Sequence, residues 1–214
     1  RLTGRVEVDE TYIGGLEPGL RGGRSLQSKK TLTAIAVEVR EPKGLGRCRM
    51  QPIADASASM LHPFVMDHVE PGATLITDAW QSYVGLRDKG YRHERRSQRA
   101  AEARGEDPGE LLPAVHRIAS LAKRWLLGTH QGAVEAAHLG AYRNECVFRF
   151  NRRRSRSRGM LFYRVLELAV GHDPVRYQDL VAEPRPKNVP PAPPERRGHP
   201  PSLERPQADR PWRR

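Results

Sequence analysis

The most constraining feature of this sequence is the two-residue alternation that opens it, because only a β-strand points successive side chains to opposite sides. In GRVEVDETYI, residues 4–13, Val6 and Val8 share one face while Glu7 and Asp9 share the other, as in a half-buried strand. TLTAIAVEVR, from Thr31 to Arg40, alternates again through Thr33, Ile35, Val37 and Val39. Between them GGLEPGLRGGRSLQSKK is too rich in glycine for a regular element and reads as a basic loop. After Glu41, the residues Pro42, Lys43 and Gly44 make a turn, and 45 to 54 read as a third strand. Ser57 is placed to cap a helix running to about Val69, so three strands precede the first helix.

Beyond Pro71 and Gly72 the run ATLITD is a short apolar strand ending at Asp78. WQSYVGLRDKG follows with a helical pattern closed by Gly90, and Tyr91 to Arg95 reads as an edge strand. The polar stretch from Arg96 to Gly109 offers little to bury and reads as a flexible loop. In VHRIASLAKRWLL the residues Val115, Ile118, Ala119, Ala122, Trp125 and Leu126 make the apolar stripe of an amphipathic helix. Further helices are expected around Ala136 to Phe150 and Met160 to Val170.

A meander followed by strand–helix alternation predicts an α/β, ribonuclease H-like fold. Its mixed sheet has three antiparallel strands, then strands joined through helices, then C-terminal helices. That domain is expected over 1–175. Residues 176–214 are expected to be a disordered Pro/Arg-rich tail, since 184–214 hold 10 of the 18 prolines and almost nothing apolar. The opening at Arg1, without an initiator Met and almost at once in a strand, suggests that a DNA-binding region upstream is missing. Cys48 and Cys146 stand far apart without a C-x-x-C partner, which excludes a zinc ribbon or disulfide framework in this chain and suits ordinary buried thiols. No apolar run approaches the roughly 20 residues of a membrane span, and no signal peptide opens the chain. The expectation is a soluble cytoplasmic protein, nucleoid-associated when bound to DNA.

Two acids stand in unusual places. Asp9 lies mid-strand and Asp78 ends a strand whose Leu75 and Ile76 read as buried. The carboxyl end of a strand is where ligands bind in an α/β sheet, and two carboxylates brought together there repel unless a cation lies between them, which outlines a divalent metal site. Spacing alone leaves open that Asp78 caps the following helix and that Asp9 is a solvated acid. On the next long helix His116 shares a face with Ser120 and Lys123, followed by Arg124 and Trp125. That face is either a solvated one or a ligand joined to a phosphate-binding cation.

VEVDETYIGG, LITDAWQSY, VHRIASLAKRWLLGTHQGAV and YRNECVFRFNRRRSRSRG, taken in order over roughly Arg5 to Val170, resemble the DDE-class insertion-sequence transposases. The similar branch carries a zinc ribbon ahead of an ISXO2-like catalytic domain. The resemblance implies that Asp9 and Asp78 are the first two metal-binding carboxylates, that His116 occupies the third catalytic position where Glu is usual, and that Lys123 is the basic residue two helical turns beyond it. The cofactor implied is Mg²⁺, with Mn²⁺ tolerated better by an imidazole, so His116 either binds one metal or orients the nucleophile or scissile phosphate. By the same resemblance Glu145 matches a family acid, expected to be structural. Glu10 points away from Asp9 in a regular strand and stays outside the triad.

A formal net charge of +12 calls for a polyanionic partner. Arg149, Arg152, Arg153, Arg154, Arg156, Arg158 and Arg164 crowd one region beside Phe148, Phe150 and Phe162. With Lys123 and Arg124 these arginines, Arg164 apart, are the expected DNA-binding set, while Arg24, Lys29 and Lys30 are further candidates. Gly128 to Gly132 matches a family motif that either turns the chain or touches DNA, and Trp80 and Trp125 read as packing residues. The resulting expectation is a DNA transposase that hydrolyses and transfers strands at insertion-sequence ends, as a homo-oligomer on DNA. The rivals are an inactive DNA-binding remnant and a metal-dependent nuclease of the same fold.

Overall fold

Strands β1 (Arg5–Ile13), β2 (Thr31–Arg40) and β3 (Gly44–Pro52) form the antiparallel meander expected from the alternation. A computed structural model describes residues 1–14, 30–40, 44–130, 136–174, 176 and 177, all within one unit, Arg1–Ala182. The expected tail, except Arg176 and Tyr177, lies outside the described residues, as do Arg24, Lys29, Gln131 and Gly132. Helix α1 (Ala58–His68) returns the chain to β4 (Thr74–Asp78), which runs parallel to β1, and β5 (Arg92–Arg96) runs parallel to β4. The sheet order β3-β2-β1-β4-β5 is the ribonuclease H-like arrangement.

Helices α2 (Gln98–Ala103), α3 (Pro113–His130), α4 (Ala136–Arg152) and α5 (Arg158–Val170) follow the sheet. One face of the sheet packs on α1 through Val6, Val8, Ala34, Leu61, Phe64, Val65 and Leu75. The opposite face packs on α3 and α4 through Ile35, Val37, Cys48, Val115, Ile118, Ala122, Leu126 and Leu139, which includes most of the expected α3 stripe. Cys48 is buried, Cys146 half-buried, and both are free thiols; burial pushes the Cys48 thiol up to about 12. The end of α4 also covers the open edge of β3. Asn151 accepts from the Cys48 N–H (2.7 Å) and donates to its carbonyl (3.0 Å), pairing with the strand as a neighbouring strand would.

Two local expectations are corrected. The segment after β4 is not an α-helix but two short 3₁₀ turns, Gln81–Tyr83 and Arg87–Lys89. Trp80 and Val84 are extended, and Gly85 and Gly90 take left-handed φ values of 93° and 89°, so the helical ladder cannot run through. Tyr83 and Leu86 are instead drawn fully into the α1-side core. The stretch 96–109 is not featureless either: Ser97 caps α2 by accepting from the Ala100 N–H, and Ala101 is buried. Ser57 precedes α1 as expected, but its hydroxyl pairs with Ser59 rather than with a helix N–H. Among the described residues no helix is long and apolar enough to cross a membrane.

Candidate active site

Parallel pairing of β1 and β4 sets Arg5 beside Thr74, Val6 beside Leu75 and Glu7 beside Ile76. Two residues further on each strand are Asp9 and Asp78, on the same face because strand side chains alternate. Neither carboxylate caps an α-helix. Asp78 Oδ1 accepts the Trp80 N–H at 2.9 Å, bending the chain out of β4, and Asp9 Oδ1 accepts the Glu10 N–H at 2.8 Å.

Helix α3 crosses this face. His116 Nε2 lies 3.5 Å from Asp9 Oδ2, an ion-pair distance rather than a close hydrogen bond. Its Nδ1 lies 2.8 Å from the Gly109 carbonyl, which can only accept, so Nδ1 carries a proton and Nε2 is the atom presented to Asp9. The Asp9 carboxylate is the main reason the His116 pKa is raised, against partial burial and with help from Gly109. Two turns along, Lys123 Nζ donates to Thr11 Oγ1 at 2.8 Å. Partial desolvation, then the positive charge of Lys30, lowers the Lys123 pKa, while Asp9 opposes the shift.

The polar face of β1 is therefore covered at Glu7 and half-buried at Asp9 and Thr11. Glu7, on the polar face of the half-buried strand that the alternation predicts, is 2% exposed and accepts the Ala114 and Val115 N–H groups on one oxygen, Oε2 (2.7 and 3.0 Å). Glu10 points the other way, where the buried Tyr83 hydroxyl donates to it at 2.8 Å. Burial first, then the charges of Glu10, Asp9 and Asp78, keep the Tyr83 phenol protonated well above its ordinary range. Sequence reasoning missed Glu7, Thr11, Gly109 and Tyr83. For Glu7 and Thr11 a signal existed: both share the Asp9 face of β1 by period two.

The arginine-rich region divides in use. Arg153 donates to the Gly46 and Leu45 carbonyls and lies 3.7 Å over the Phe150 ring; Arg152 lies 3.9 Å over Phe148. Arg149 pairs with Glu145 and Arg164 with Glu167 on helix surfaces. Arg124 contacts Ser120 at 3.5 Å. The side chains of Arg154, Arg156 and Arg158 are exposed and make no hydrogen bond or ion pair with a described residue. Trp80, 40% exposed, donates to the Ala56 carbonyl, and half-buried Trp125 meets the His130 ring edge-on.

Among the described residues no three His, Cys, Asp or Glu side chains are grouped so that together they could hold a metal ion, so the expected set of Asp9, Asp78 and His116 is not assembled as three ligands here. The oxygen donors of Asp9 and Asp78 nonetheless suit Mg²⁺, which is usually held by one or two carboxylates together with water and substrate phosphates. The Gly109 contact on the far nitrogen of His116 is the kind of outer hydrogen bond that orients a ligating imidazole.

Sheet order and strand direction define the ribonuclease H-like class. The chain belongs to the ISXO2-like transposase domain family, whose model matches residues 1–151. It is also similar to the catalytic core domain of BIV integrase, at 15% identity and a TM-score of 0.43, over 79% of this chain and 99% of that one. Comparison with curated proteins finds no match.

Proposed function

We propose that this transposase domain cuts and joins DNA phosphodiesters at insertion-sequence ends with divalent metal ions. The reading is supported by the parallel pairing of β1 with β4, two residues beyond which Asp9 and Asp78 follow on one sheet face, and by His116 on α3, 3.5 Å from Asp9. Asp9 and Asp78 would hold Mg²⁺, or Mn²⁺, whose chemistry is to stabilise charge on the phosphoryl and leaving oxygens. In cleavage a water oxygen bonds to phosphorus as the bond to the 3′ oxygen breaks, leaving a 3′-hydroxyl and a 5′-phosphate. In transfer that 3′-hydroxyl attacks a target phosphodiester and a target 3′-hydroxyl departs, so the number of phosphodiesters is conserved.

His116, oriented through Gly109, borders the pair with Nε2 and would ligate or orient the reacting phosphate. Lys123 offers an ammonium to a phosphate oxygen, and its bond to Thr11 holds that ammonium at the sheet face. Arg154, Arg156 and Arg158, together with Arg124, would track the DNA backbone, while Arg149, Arg152 and Arg153 contribute mainly by fixing the helix that displays them. Assembly on DNA as a homo-oligomer belongs to the same reading.

The test is incubation of the chain with labelled element-end DNA in Mg²⁺ and in Mn²⁺, beside Asp78→Asn. Metal-dependent 3′-end cleavage and strand transfer, both lost in the variant, are expected. Binding without products in either metal would identify a DNA-binding remnant, and cleavage without joining a nuclease.

A further inference from the structure

Helix α3 begins without a capping side chain of its own. The residue before Pro113 is Leu112, buried and apolar, and Pro113 has no N–H. The His116 N–H makes the first helical bond, to the Leu112 carbonyl at 3.0 Å. That leaves the Ala114 and Val115 N–H groups, and both are taken by Glu7 Oε2 from a strand more than 100 residues away in sequence. A buried carboxylate is costly to keep unless it is used. Here burial raises the Glu7 pKa, while the two backbone N–H groups, then Arg96 and His116, pull it down.

We propose that Glu7 is a positioning residue whose cap on α3 sets the height of His116 over Asp9. Contacts between α3 and the sheet are made largely by Ala114, Val115, Ile118, Ala119 and Ala122, small or branched apolar groups whose packing is not directional. Directional contacts come from one face of β1: Glu7 to the first turn, Asp9 to His116, and Thr11 to Lys123. Glu7 is two residues from Asp9, and Val115 is adjacent to His116, so a shift at the cap passes to the Asp9–His116 gap with almost no lever arm. Glu7 does not touch the reacting groups.

The rate arm of the test rests on the proposed function; the structural arm does not. In the metal-free full chain, nuclear Overhauser effects between the His116 ring and the Asp9 β-protons report the gap, and hydrogen exchange at Ala114 and Val115 reports the cap. Glu7→Gln keeps one oxygen able to accept both N–H groups and should preserve both signals and the cleavage rate. Glu7→Met fills the space without an acceptor; exchange should speed at both amides, the Overhauser effect weaken, and kcat fall about tenfold with KM for DNA unchanged. Should Glu7→Met not fold, Glu7→Asp, shorter by one methylene, is expected to fold with a changed Overhauser effect and a lower kcat. Wild-type Overhauser intensity in Glu7→Met, or in Glu7→Asp, overturns the proposal, as does loss of the signal in Glu7→Gln. An inactive chain that still shows the predicted pattern would count against the transposase chemistry alone.

Discussion

The two faces of β1 are built on different terms. Toward α1 the strand presents Val6 and Val8, both fully buried in an apolar cluster with Leu61, Phe64, Val65 and Leu75. Toward α3 it presents Glu7, Asp9 and Thr11, each with a specific partner on the helix. The apolar face shares its energy among many non-directional contacts. The polar face is made of single contacts, and each lost partner leaves a group stranded. A strand that spends one face on acids under a helix gives up hydrophobic stabilisation there, and the catalytic reading accounts for that choice.

The comparison is broken most severely at the carboxylates. Asp9→Asn or Asp78→Asn should lower metal-dependent cleavage on the order of 1,000-fold, about 4 kcal/mol of barrier. Folding and DNA binding, followed by thermal melting and mobility shift, should change little; equal loss of binding would contradict the roles assigned. The reverse substitution is Phe64→Ala on the α1 face. It should cost about 3–4 kcal/mol in denaturant unfolding and leave the cleavage rate per folded molecule unchanged.

Acid provides a third probe, away from the site. Glu38 is buried and pairs with Arg47 at 2.8 Å. Burial works to raise its pKa, but the Arg47 side chain and the Arg47 and Thr3 N–H groups outweigh it, so the folded value is lowered below 4.5. The stabilisation is therefore complete above the unfolded value and is lost as pH falls through the folded one. Glu38→Gln should cost about 2 kcal/mol at neutral pH and flatten the acid limb of the stability curve. An unchanged acid limb would remove Glu38 from the account. The smallest effect is expected at the arginines: Arg156→Ala should reduce the salt dependence of DNA binding by about one phosphate contact, whereas Arg153→Ala should weaken the β3 edge instead. Equal salt slopes for the two variants would erase that division.

Much of this was legible in the sequence. The alternation through Val6, Val8, Ile35 and Val37 specified the meander, and the stripe from Val115 to Leu126 specified the face α3 buries. The 80–90 segment misled because Trp80, Tyr83, Val84 and Leu86 have helical spacing. What decides its shape is the pull of Tyr83 toward Glu10 and the left-handed Gly85. Burial of Glu7 was hidden because alternation assigns acids to water, and only the start of α3 over the strand makes that position interior. Charge alone did not sort the arginines either, since the Gly46 and Leu45 carbonyls that engage Arg153 lie more than 100 residues earlier in the chain.

The central claim is that Asp9 and Asp78 form one metal site on the α3 face. Titrating Mn²⁺ into the wild-type chain, Asp9→Asn and Asp78→Asn by isothermal calorimetry tests it most directly. Binding in the wild type that is lost in either variant, with melting temperatures unchanged, is the predicted result. Wild-type Mn²⁺ binding in both variants would contradict it.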